Sequence, residues 1–189
     1  MFLLFRSHGV VLLVAVAVLA AGCGGGEPAT GGEWVAAPPA STAPARLAKV
    51  TSACKLLSAA TVMKVLGPTS KSTLKARELP VDKSDGEVAY SCAYGKDGQE
   101  PFALTVSTRP DQSAKAESTI ETIAAASGVE TTPVDDLGTA GVGYVKDAFR
   151  VVAVTVPYET DLRLVIFAAP QIVPQAKLVE VLGQVVTKI

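Results

Sequence analysis

Apolar residues are spread very unevenly along the 189-residue chain. Twelve stand together at residues 10–21, "VVLLVAVAVLAA", no periodic pattern follows until residue 47, and regular alternation begins only after that. The stretch "CKLLSAATVMKVLGP" (54–68) predicts a short helix. Ser58 is placed to cap it, Leu57 can staple onto Val62, Val62, Val65 and Leu66 form its apolar face, and Gly67-Pro68 closes it. Residues 69–87 are polar and predict a long loop with room for one short strand. Residues 88–95 and 101–110 read as two strands joined by Lys96-Asp97-Gly98, with Phe102, Leu104 and Val106 alternating toward one buried face.

Asp111 can cap a helix running to about Ser127, ended by Gly128; its stripe of Ala116, Ile120, Ile123 and Ala124 is thin and predicts loose cover. The second half is more apolar. "GVGYVKD" leads into "AFRVVAVTVPY" (148–158) and, after the turn "ETD", into "LRLVIFAAP" (162–170). Val152, Val154 and Val156 oppose Phe149, Val151 and Ala153, which predicts a strand covered on both faces. A last helix, about 174–188, opens on Pro174 and carries the stripe Leu178, Val181, Leu182, Val185 and Ile189. The predicted order is α-β-β-α-β-β-β-α. Short turns between neighbouring strands favour antiparallel pairing, so the expected class is α+β, helices packed on a mainly antiparallel sheet.

The run at 10–21 is too short to cross a hydrocarbon core of about 30 Å but suits the apolar centre of a signal peptide, with Arg6 supplying a basic start. It ends in Ala20-Ala21-Gly22-Cys23, which resembles the bacterial lipobox. That resemblance implies diacylglycerol on the Cys23 thiol and cleavage by signal peptidase II between Gly22 and Cys23. An ordinary secretory signal, with Cys23 incidental, is the alternative. Of the 23 residues at 24–46, eighteen are Gly, Ala, Pro, Ser or Thr. Such a composition buries too little to offset its ordering entropy, and predicts a flexible tether reaching roughly 25–30 Å. Trp34, the single tryptophan, stands in it. The expected organisation is a removed leader at 1–22, a lipidated cysteine and tether at 23–46, and one α+β domain at 47–189.

Charge narrows the partners. The whole chain carries −1, and without residues 1–22 sixteen basic and eighteen acidic residues remain. That balance argues against nucleic acid, which requires an excess of Lys and Arg. The only histidine, His8, falls in the leader. If Cys23 is lipidated, Cys54 and Cys92 remain in an exported domain, where disulfides persist. They can form one bridge across a 39-residue loop; the alternative is a pair of buried free thiols.

Cys54-x-Leu56-Leu57-Ser58, Leu66-Gly67, Ser91-Cys92-x-Tyr94 and Leu137-Gly138-x-Ala140 together resemble an actinobacterial, mycobacterial-type lipoprotein family of uncharacterised function. Its domain opens with C-x-L-L-[ST] and places a second cysteine before an aromatic. The likeness covers about residues 50–188. It implies an exported lipoprotein domain with Cys54 and Cys92 paired, and it supplies no activity.

No catalytic motif is legible. "GTAGVGYV" (138–145) departs from the phosphate-binding pattern and runs into a strand rather than a helix start. Asp135-Asp136 lacks a calcium-loop context. A serine nucleophile requires a base, leaving only an arrangement such as Ser58 with Lys64. The expectation is therefore a non-enzyme without metal or cofactor, held through its lipid on the outer face of the cell membrane. There it acts as an envelope interaction or accessory module with a protein partner. The alternative is a carrier of a lipid or small hydrophobic ligand, whose cavity would lie beneath the alanine-rich helix at 111–127.

Overall fold

The computed structural model describes residues 46–66, 73–96 and 98–189. The leader, Gly22, Cys23, the tether with Trp34, the Gly67-Pro68 stop and Asp97 lie outside the described residues. The architecture is α+β: an antiparallel sheet of eight strands with four helices. In chain order the elements are α1 (Ala53–Leu56), α2 (Ala59–Leu66), β1 (Lys75–Glu78), β2 (Asp82–Ser84), β3 (Glu87–Lys96) and β4 (Gln99–Arg109). A 3-10 turn (Ser113–Lys115) leads into α3 (Ala116–Ser127), followed by β5 (Thr131–Pro133), β6 (Ala140–Lys146), β7 (Phe149–Tyr158), β8 (Asp161–Pro170) and α4 (Gln175–Val186).

Across the sheet the order is β1-β3-β4-β8-β7-β6-β5, with β2 also paired to β3. The pairing of β4 with β8 sets Leu104 opposite Phe167 and Val106 opposite Val165. Along β7, Val152 and Val154 continue the same rows. These side chains form one face of the sheet, and α1, α2 and α4 pack over it in a single core. The stripe expected of the last helix is buried throughout: Leu178, Val181, Leu182 and Val185 on α4, and Ile189 beyond its end. Ser58 caps α2 by accepting the Thr61 N–H at 3.1 Å. Among the described residues, every core residue lies between Val50 and Ile189.

The other face is only half covered. Ile120 of α3 packs on Val142, Ala153 and Leu164. Beyond α3 the face continues through Ser91, Ala103, Thr105 and Ala168, which stay half-buried. The expectation that β7 is covered on both faces holds for its centre, where residues 152–156 are buried, and fails at its start, where Phe149 is 43% exposed.

One further strand, β5, lies outside the expected order: its three residues are held by backbone pairing to β6 at the sheet edge. Three other differences from the sequence reading have physical causes. The polar stretch 69–87 holds two strands rather than one at most, and all seven of their residues are exposed. Edge strands that bury no side chain need no alternation; backbone pairing to β3 holds them. Their charges (Lys75, Arg77, Glu78, Asp82, Lys83) and the Pro133 of β5 blunt both sheet edges against further strand addition. Second, residues 53–56 form their own turn of helix, capped by Ser52, whose Oγ accepts the Lys55 N–H at 3.1 Å. Third, Asp111 does not cap α3. It sits at φ +55°, and Ser113 N–H donates to the Thr160 carbonyl at 2.8 Å, so the chain crosses to the β7–β8 turn before the helix starts. Gly128, at φ +68°, ends α3 as expected.

Candidate functional site

Two of the expected site residues come together. Cys54 on α1 and Cys92 on β3 form a disulfide with Cα atoms 5.1 Å apart. Glu78, opposite Cys92 in the β1–β3 register, completes the one Cys/His/Asp/Glu cluster found among the described residues. Sulfurs joined to each other offer no thiolate for a metal. Two residues beyond Cys92, the Tyr94 hydroxyl donates to the Leu57 carbonyl at 2.8 Å in the fully buried core. The bridge and this bond both tie the α1–α2 segment to β3.

Burial, and then the charge of Glu78, raise the Tyr94 phenol well above its ordinary 10.0. The native state therefore keeps its proton at pH values where the unfolded chain has lost it, so stability falls as pH rises past 10. The slope from this one group approaches about 1.4 kcal/mol per pH unit. Urea melts of wild type and Tyr94→Phe at pH 8 to 11 should show it: the wild-type advantage shrinks above pH 10. At pH 8 the variant should lose about 1–3 kcal/mol through the unpaired Leu57 carbonyl. A constant difference across that range would contradict the assignment.

The remaining candidates do not assemble into a catalytic arrangement. The Ser58 hydroxyl is used in its cap and in a 2.9 Å bond with Thr61. Asp135 and Asp136 are exposed on the turn before β6. The glycine-rich run is explained by close packing: Gly138 stands at φ +72° against the Thr155 carbonyl. At Gly141 a Cβ would lie 3.0 Å or less from Val134 and Val154.

One residue missed by the sequence reading is more telling. Arg163 shares the core-facing parity of Val165, Phe167 and Ala169 on β8, and an arginine in that row was the available signal. It is 1% exposed. Its Nη2 donates to the Ala48 carbonyl at 2.9 Å, and its guanidinium lies 3.9 Å from the centre of the Tyr158 ring. Nε and Nη1, which carry three of the five guanidinium N–H donors, have no protein partner. Burial pushes the guanidinium below its ordinary value, against the opposing pull of Tyr158 and Asp161. A buried cation that forms no direct ion pair costs several kcal/mol.

Arg163 lines a groove of about 380 Å³ on the core-facing side of the sheet. Val50, Val88, Tyr90 and Pro110 supply apolar surface, and Lys49, Lys83 and Asp161 supply charge. Lys49 and Val50 also border a neighbouring hollow of about 420 Å³ with Lys55 and Lys188. The segment 47–50 thus runs between two hollows rich in cations. By contrast, α3 lies directly on the sheet through Ile120, in a small apolar cluster.

No protein-family model matches the chain, and no curated protein matches it. Neither comparison points to a catalytic activity. No described helix is long and apolar enough to cross a membrane.

Proposed function

We propose that the chain is an exported lipoprotein, cut between Gly22 and Cys23 and held on the outer face of the cell membrane by diacylglycerol on Cys23. Its domain serves as a non-catalytic interaction or accessory module of the cell envelope. The observation that carries this reading is the Cys54–Cys92 disulfide. Disulfides persist in oxidising compartments, and this one uses two of the three cysteines, leaving Cys23 as the remaining thiol. The likeness of residues 20–23 to a lipobox and of residues 50–188 to actinobacterial lipoproteins supports the same address. For the module's work, the half-covered sheet face offers surface, while the blunted edges disfavour a partner that adds a strand.

A second reading, a carrier of a small amphiphilic ligand, is favoured by the groove at Arg163 rather than by the space under α3. Native mass spectrometry of the mature protein taken from its own cells separates the two. The interaction reading predicts the mass of the lipidated chain with a co-purifying protein. A reproducible extra lipid-sized mass on the folded domain would overturn it in favour of the carrier.

A further inference from the structure

We propose that the groove over Arg163 binds an anionic amphiphile, a carboxylate or phosphate headgroup on an apolar chain, with Arg163 recognising the headgroup. This deepens the carrier reading and rests on it. The guanidinium is the only fully buried charged side chain among the described residues, and three of its donors lack a partner. An oxyanion is the group whose geometry matches a guanidinium fork and whose charge would complement it. Lys49 and Lys83 stand exposed along the same groove, so with Asp161 as the one opposing carboxylate its lining carries a net charge of +2.

Apart from Thr108 the rest of the lining is apolar: Val50, Val88 and Pro110, with the ring of Tyr90, form a surface suited to a hydrocarbon chain. A volume of about 380 Å³ falls within the range of small-ligand sites, about 300–1,000 Å³. The unpartnered Nε and Nη1 lie beneath the surface, so a headgroup reaches them by parting residues 48–50 from β8. That segment is held by the Nη2–Ala48 bond, by a 2.7 Å bond from the Leu47 N–H to the Lys188 carbonyl, by a 3.5 Å contact from Arg46 Nη1 to the Pro157 carbonyl and by the burial of Val50 in the core.

The test uses the mature chain from residue 23 with Cys23→Ser, which keeps every described core residue and carries no lipid of its own. Calorimetric titration with sodium dodecanoate and with dodecyl phosphate, each below its micelle concentration, should give saturable binding. Neutral dodecyl maltoside should bind at least tenfold more weakly. Arg163→Met should weaken dodecanoate at least tenfold, and so should Lys49→Gln/Lys83→Gln, whose sites are exposed and leave the fold intact. Equal binding of the maltoside, or binding indifferent to the lysine pair and to a folded Arg163→Met, would overturn the headgroup assignment while leaving a carrier in place. No binding of any of the three amphiphiles would remove the carrier reading with it. Vesicles of phosphatidylglycerol, compared with phosphatidylcholine, identify the source. Arg163-dependent sedimentation with the former assigns the headgroup to a bilayer lipid, and its absence beside dodecanoate binding assigns a free amphiphile.

Discussion

Replacing Cys23 with alanine should release the protein from the membrane fraction and abolish its labelling with palmitate. The size of the effect follows from the chemistry of the anchor. Each buried methylene contributes about 0.8 kcal/mol, and one chain of ordinary length holds a protein only marginally, whereas diacylglycerol inserts two together. The twelve apolar residues at 10–21 are too few to replace it as a spanning helix. Loss of the thiol therefore changes partitioning from essentially complete to essentially none, with a mass that lacks the lipid. Cys54→Ala, which removes a different thiol, should leave membrane association and label in place. A Cys23→Ala protein that stays in the membrane fraction with unchanged mass would dismiss the anchor.

The second large effect is expected at the disulfide. The double variant Cys54→Ala/Cys92→Ala opens a loop whose ends are 38 residues apart in sequence. In the chain-entropy account, closing such a loop stabilises by about 4 kcal/mol, and removing it lowers the melting midpoint by roughly 10 °C. The loop contains α2, the exposed strands β1 and β2, and the start of β3, elements that bury few large side chains of their own. Thermal melts with and without dithiothreitol provide the check. Wild type should drop to the midpoint of the double variant on reduction, while the double variant itself should not respond. A loss under 1 kcal/mol would mean that the Tyr94–Leu57 bond and the α1–α2 packing already hold this segment.

Much of the fold was legible where a side chain must choose a face. Phe102, Leu104 and Val106 on β4, Val152, Val154 and Val156 on β7, and Leu178, Val181, Leu182 and Val185 on α4 all bury where their period places them. Ser58 caps because its hydroxyl precedes three free N–H groups, a purely local arrangement. The strands β1 and β2 escaped because "KARE" and "DKS" bury nothing; only a neighbour's backbone makes them strands. Asp111 was a fair cap by composition, yet a bond to the distant Thr160 carbonyl set its backbone otherwise.

The candidate ligand site divides along the same line. By itself the sequence determined the cysteine inventory, the twelve-residue apolar run that precedes Gly22-Cys23, the Gly/Ala/Pro-rich composition of residues 24–46, and the periodic elements, because each depends on neighbours within about a dozen residues. Only the tertiary structure decided that β4 pairs with β8, that residues 48–50 fold over Arg163, and that an arginine in a core-facing row is left with unpaired donors. Those facts depend on contacts between residues more than fifty positions apart, up to the 115 between Ala48 and Arg163. Local propensity and periodicity carry no record of which distant segments meet.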